Sequence, residues 1–245
     1  MQLDELCHFC DDFLALDEFD DYCPNGLQVE GSPLVKRLVS GVTASLDLIE
    51  SAIEQNADAI LVHHGYFWKG EAAPLTGYKG RRIKRLMQAD VSLLAYHLPL
   101  DFHPNVGNNA QLARRMGWLV TGQQGGIWLG ETAAPMTADE LLDELADRID
   151  CNPLLIDAGS HPVHRIAWCT GAAQSYIEKA AALGVDAFVS GEISEQTVHL
   201  ARELGIHYIA AGHHATERYG VQALGEMLAE RFAISHEYIE IDNPV

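Results

Sequence analysis

Histidine occurs in three segments of this chain where its chemistry could be used. Residues 58–65 read Asp-Ala-Ile-Leu-Val-His-His-Gly, residues 95–101 read Ala-Tyr-His-Leu-Pro-Leu-Asp, and residues 211–217 read Ala-Gly-His-His-Ala-Thr-Glu. In the second and third, a carboxylate follows a histidine by four positions: His97 with Asp101, and His213 with Glu217. Imidazole plus carboxylate is the donor set of a borderline divalent ion. His63, His64, Asp101, His213 and Glu217 are more donors than one catalytic ion with an open position uses. They suit two ions sharing a bridging carboxylate, and the longer arm of Glu217 makes it the choice for the bridge. Such a pair, about 3.5–4 Å apart, clamps a water and lowers its pKa toward neutrality. His97 has three roles open to it: ligand, partner of a ligand, or proton carrier. His214 points away from His213 if that segment is extended. Glu192 could orient a substrate or be a solvated turn residue. Taken alone, a His-His pair reads as a turn with a solvated imidazole; the other two segments change that reading.

These side chains must be delivered by something. Apolar runs ending at Val62, Ala95 and Ala210 read as buried strands that carry the histidines at their C-terminal ends. Neighbouring strand residues face opposite sides, so His63 and His64 share one site only if the chain bends or two adjacent ions are present. Gly65 gives freedom to turn. A strand at 36–42, a helix at 45–55 and the strand at 58–62 make a βαβ unit. Thr137 and Glu140 have capping-box spacing and open a helix with Leu141, Leu142 and Leu145 on one face. A helix over 217–231 would hold Glu217 in its first turn, and 235–241 reads as a closing strand. Shifting by 128 positions pairs Ala44 with Ala172, Ile49 with Ile177, Glu50 with Glu178, Ala52 with Ala180, Asp58 with Asp186 and Ala59 with Ala187. His63 and His64 then fall on Gly191 and Glu192, while His97 and Asp101 match His213 and Glu217 at a shift of 116. The expectation is an α/β fold of two similar halves from an internal duplication, with a metal site at strand ends between them. Thr121 to Gly126 is the linker candidate, giving halves at 1–121 and 127–245 around a linker at about 122–126.

Composition narrows the partners. Thirty-five acidic against sixteen basic residues give a formal charge of -19, which argues against nucleic acid. Lys79, Arg81, Arg82, Lys84 and Arg85 form the one dense basic run, either a solvated helix face near an acidic neighbour or a holder of nucleotide phosphate. Tyr66-Phe67-Trp68 could stack on a planar ring, anchor a subunit contact, or fold back on the core. Five cysteines fit a reducing compartment rather than a disulfide framework, and Cys7 and Cys10 fall on the apolar face of a first helix. The acidic N-terminus and the lack of a long apolar run point to a cytoplasmic protein with no membrane partner.

The stretches PNGLQVEG, VTAS, DAILVHHGYFWKGE, HLPLD, GNNAQLA, WCTG, SGEISEQT and AAGHHATERYG resemble the GTP cyclohydrolase I type 2 homologs, also called the NGG-one-interacting-factor-three-like family, in its short bacterial form. The likeness runs from about Tyr22 to Gly220. It implies a dinuclear site with ligands at His63, His64, Asp101, His213 and Glu217, filled by zinc, manganese, iron or cobalt. It also implies a toroidal homohexamer whose sites face an internal cavity. The implied reaction is hydrolytic opening of the guanine imidazole ring of GTP, giving formate and dihydroneopterin triphosphate, and among this chain's residues His97 suits the role of catalytic proton carrier. The alternatives are a metal-dependent hydrolase of another phosphorylated small molecule, and a non-enzymatic metal-binding scaffold. No Gly-rich phosphate loop of P-loop type is present.

Overall fold

The computed structural model describes residues 1–245 as two compact units, each built on its own sheet. The first comprises Met1–Gly107 and Arg218–Asp242; the second comprises Asn108–Glu217 and Asn243–Val245. No helix is long and apolar enough to cross a membrane.

In the first unit, helices α1 (Leu3–Phe13), α2 (Leu46–Glu54), α3 (Gly77–Ala89) and α4 (Leu98–Phe102) accompany strands β1 (Gly26–Val29), β2 (Arg37–Thr43), β3 (Ala59–His64) and β4 (Ser92–Ala95). The chain returns to this unit late, to add β11 (Ser235–Tyr238) beside β2 in the order β1-β4-β3-β2-β11. Strands β2, β3 and β4 run parallel, so the middle one is covered on both faces and reads as an unbroken apolar run. Alternation then sorts its side chains: Ala59 and Leu61 pack with α1, while Ile60 and Val62 pack with α2. Each fully buried Leu or Ile here contributes about 2–3 kcal/mol. Ser45 caps α2, its side chain accepting from the Leu48 amide.

The second unit holds β5 (Leu119–Gln124), β6 (Ile127–Met136), β7 (Leu154–Ile156), β8 (Val163–Cys169), β9 (Ala187–Ser190) and β10 (His207–Ala210) in the order β5-β6-β8-β9-β10-β7. Its helices are α5 (Asn108–Met116), α6 (Ala138–Ile149), α7 (Ile177–Ala182) and α8 (Glu195–Leu204), with a 3-10 turn at Gln174–Tyr176 before α7. The capping box of Thr137 and Glu140 forms at the start of α6. Helix α9 (His213–Phe232) begins in this unit and continues into the first.

The two βαβ frames agree to the residue. A displacement of 128 carries the pairs Leu38↔Ala59, Val39↔Ile60, Ser40↔Leu61 and Gly41↔Val62 onto Ile166↔Ala187, Ala167↔Phe188, Trp168↔Val189 and Cys169↔Ser190. The same displacement carries a carboxylate clamp. Asp58 Oδ2 accepts the amides of Lys36 and Arg37, at 2.7 and 2.9 Å, and Asp186 Oδ2 accepts those of His164 and Arg165, at 2.9 and 2.7 Å.

Three expectations are corrected. Residues 122–126 are not a linker but the end of β5 and the turn into β6, Gly125 and Gly126 both having positive φ; a Gly pair serves a hairpin as well as a linker. The chain instead passes between units at Gly107/Asn108 and Glu217/Arg218. Helix α9 starts at His213, so Glu217 lies one turn inside it, on the same face as His213. Gly65 is a close approach more than a turn: a Cβ there would lie 2.2 Å from Gln28 Oε1 and 2.6 Å from the Ala95 side chain.

Candidate metal centre

In the first unit β3 remains paired as far as His64, which is in register with Thr43. Even so, the His63 and His64 rings lie 4.6 Å apart, so consecutive positions serve one place without a break in pairing. His63 is fully buried, and its Nδ1 sits 2.9 Å from the Tyr96 carbonyl oxygen. A carbonyl only accepts, so Nδ1 carries a proton, and in the neutral ring Nε2 holds the lone pair. That Nε2 faces Asp101 Oδ1 at 3.5 Å, with Asp101 itself buried. A lone pair opposed to a carboxylate away from water is an arrangement that a cation relieves, and the donors are those of a divalent metal. His64 Nδ1 lies 3.2 Å from Thr43 Oγ1.

His97 joins this end of the sheet as the N-cap residue of α4, with the Asp101 amide bonded to its carbonyl. Ring nitrogens of His63, His64 and His97 fall within 4.8 Å of one another. The loop before β1 holds His97. Asp21 Oδ1 lies 2.7 Å from His97 Nδ1, Asp21 Oδ2 accepts the Leu98 amide and the Asn25 side chain, and Asn25 Oδ1 accepts the His97 amide. Burial opposes the charge on Asp21, but the bonds from His97 and Asn25 outweigh it and bring its pKa down to about 2. Sequence reading passed over Asp21, which is one of a run of acidic residues with nothing local to distinguish it.

The three aromatics after Gly65 separate. Tyr66 is buried with its hydroxyl on the Ala44 carbonyl, and Phe67 stands near Lys79. Trp68 faces the histidines, with its ring centroid 5.0 Å from His97 and 6.0 Å from His64. Glu71 accepts the Phe67 and Trp68 amides, and the Lys69 amide donates to the Tyr22 carbonyl, which ties the two loops together. Of the basic run, Arg85 forks onto Glu50 through two bonds of 2.6 Å and Lys79 is buried beside Glu71, which is the acidic-neighbour reading for both.

In the second unit the candidate imidazole is His213, at the first position of α9. Its Nδ1 lies 2.7 Å from Glu192 Oε1 and its Nε2 3.0 Å from Glu217 Oε2, Glu217 being buried. Burial disfavours the charged ring, but the two carboxylates win and raise its pKa to about 9. A cation at Nε2 can replace that proton, so this pair also fits a metal. Glycines make the room. A Cβ on Gly171, whose φ is +68°, would lie 2.0 Å from Glu217 Oε1, and one on Gly191 would lie 2.7 Å from the His213 Cα. Gly171 also donates its amide to Thr216 Oγ1 and accepts those of Gly191 and Glu192. His214, about 100° round the helix from its neighbour, is buried and its amide donates to the Val245 carbonyl. Asn109 is tied to the end of β8, its Oδ1 accepting the Thr170 amide at 3.1 Å.

The Duf34/NIF3 (NGG1p interacting factor 3) family model matches residues 1–244. A GTP cyclohydrolase 1 type 2 homolog of Pseudomonas aeruginosa is 57% identical over 248 residues, covering 99% of this chain and 98% of that protein. Among solved structures, protein ybgI, described as of unknown function, matches with a TM-score of 0.98 at 48% identity and 100% of both chains. TTHA1606 from Thermus thermophilus matches with a TM-score of 0.93 at 33% identity, again over 100% of each.

Proposed function

The chain belongs to the Duf34/NIF3 family, and from that premise we propose that it is a dinuclear metal-dependent hydrolase of a small phosphorylated heterocycle, with GTP ring opening as the first reaction to test. The observation that carries the reading is the paired ring orientation: His63 and His213 each have Nδ1 anchored on an oxygen and Nε2 aimed at a carboxylate. His63, His64, Asp101, His213 and Glu217, the ligand set that the family resemblance implies, would hold two divalent ions, zinc, manganese, iron or cobalt. Such ions would supply Lewis-acid chemistry at these residues.

The chain's own residues do the rest. His97 moves the proton at Nε2, because Asp21 occupies Nδ1. Trp68 offers a ring face beside His64 and His97 for a planar base, and the exposed Lys69 next to it meets phosphate. The name of the Pseudomonas relative supports GTP as substrate. Closed assembly as a homohexamer, which the family resemblance implies, would keep such a site from bulk water.

The test is incubation of metal-loaded protein with GTP, measuring formate and the fluorescent pterin formed on oxidation. Both should appear, and the His63→Ala variant should give neither. Absence of both with zinc, manganese, iron and cobalt each restored refutes the cyclohydrolase reading. Metal-dependent cleavage of a simple phosphoester by the same preparation would move the assignment to another phosphorylated substrate.

A further inference from the structure

We infer that Asp21 is the positioning residue of His97: it fixes the neutral ring as the Nδ1–H tautomer and so presents the Nε2 lone pair at the His63–His64 end of the sheet. The inference rests on the reading of His97 as proton carrier. Asp21 is suited to this because its acceptors are committed. Oδ2 takes the Leu98 amide at 2.9 Å and Asn25 Nδ2 at 2.8 Å, while Oδ1 takes the Tyr22 amide and His97 Nδ1 at 2.7 Å. Every group facing the carboxylate is a donor, so it stays ionised and acts only as acceptor, which forces the proton onto Nδ1. The His97 main chain is held as well, since Asn25 Oδ1 accepts its amide at 2.7 Å. The ring therefore has little freedom either to flip or to change tautomer.

Cys23 lies with Asp21 and His97 in a cluster of potential ligand atoms within 4.8 Å, which raises a cysteine nucleophile or a separate metal as rivals. Neither fits. Burial, reinforced by the Asp21 charge, pushes the Cys23 thiol up to about 12, so it is not a thiolate, and the Asp21 oxygens are already filled by donors.

Substituting asparagine separates position from charge. In Asp21→Asn the amide nitrogen can face either the Leu98 amide and Asn25 Nδ2, where it meets two donors, or His97, where it meets one backbone donor and a ring that can change tautomer. The second is the smaller conflict, and it moves the His97 proton to Nε2, where no lone pair remains for the substrate side. A carboxylate-to-amide change beside a catalytic histidine has this effect in the serine protease triad.

The experiment uses full-length protein labelled with 15N-histidine and loaded with zinc, with ring tautomers read from long-range 1H–15N correlations. Wild type should show His97 as Nδ1–H with an unligated Nε2; Asp21→Asn should show Nε2–H with zinc content unchanged. Asn25→Ala, which keeps the carboxylate, should lower thermal stability and leave the tautomer as in wild type. On a substrate the wild type turns over, Asp21→Asn should lose about 10²-fold or more in kcat with KM within about threefold. A wild-type ring protonated at Nε2, or zinc bound to His97 Nε2, overturns the inference without any variant. An unchanged tautomer in a folded Asp21→Asn protein also overturns it. Failure of the function is visible separately, as wild type with the Nδ1–H tautomer and no turnover.

Discussion

The first and second βαβ frames share strand register and the aspartate clamp, yet their strand ends carry different chemistry. Where the first has His63 and His64, the second has Gly191 and Glu192, and where the first has Thr43, the second has Gly171. In the first, two strand-end imidazoles stand near a third, and the carboxylate comes from a short helix. In the second, one imidazole starts a twenty-residue helix, and two glycines clear space for it and for Glu217. The frame places strand ends and is indifferent to what they bear. Each half then solves a different problem: the first gathers imidazoles, and the second fixes a single imidazole between two carboxylates.

The largest way to break this contrast is to remove Glu217. If it bridges two ions, Glu217→Ala should fall from about two bound ions per chain to one or fewer, while His214→Ala keeps both; elemental analysis of protein purified without added metal decides. Equal losses would mean that His214 belongs to the metal shell and that His213 is the wrong choice of histidine. Next are the groups that orient the rings. Glu192→Gln should weaken metal binding roughly 10–100-fold, because it removes the charged acceptor from His213 Nδ1. Thr43→Val should cost less, since its hydroxyl is a neutral partner 3.2 Å from His64 and His63 relies on a main-chain carbonyl; competition with a chelator measures both.

A third substitution imports the side chain of one half into the other. Gly171→Ala sets a Cβ against Glu217 at a positive φ, and should destabilise metal-free protein by about 1–3 kcal/mol in urea unfolding. Its partner position already carries a side chain, so Thr43→Ala should be milder. The shared clamp should respond alike in both halves: Asp58→Ala and Asp186→Ala each lose two amide bonds to a carboxylate, about 2 kcal/mol apiece. Hydrogen exchange should localise each loss to its own sheet, and strongly unequal losses would contradict the equivalence.

The smallest effect belongs to the first unit, in the strand that the end of the chain adds to it. His236 of β11 is bonded to Ser40 Oγ at 2.8 Å and fills space that Gly225 leaves open, a Cβ there lying 2.1 Å from its Nε2. Burial lowers its pKa below the ordinary value, with Glu237 opposing weakly. A base depressed in the folded state takes up its proton more readily when unfolded, so stability should hold above about pH 6.5 and fall as pH drops below it. His236→Asn should flatten that slope when denaturant midpoints are followed between mildly alkaline and mildly acidic pH.

Much of this was legible in the chain itself. Ligand types and the spacing of His97 to Asp101 and of His213 to Glu217 are written locally, and apolar runs between polar corners identify buried strands. The 128-position correspondence, first visible as scattered identities, recurs as strand register because a buried parallel strand cannot slip without turning its apolar face outward. Local signals failed where one composition serves two structures. The Gly pair at 125–126 makes a hairpin turn, and a Gly-His-His opening conceals a helix start.

What the sequence by itself determined is therefore the identity of the candidate donors and the two frames, since residue chemistry and hydrophobic period are properties of neighbouring positions. The tertiary structure alone decided which nitrogen of each histidine is anchored on a protein oxygen, and it also set the boundaries of the units. Those anchors are the Tyr96 carbonyl for His63, Asp21 for His97 and Glu192 for His213, partners 33, 76 and 21 residues away. No local pattern encodes a hydrogen bond across such separations; it exists only once packing has brought donor and acceptor within 3 Å and excluded water from between them.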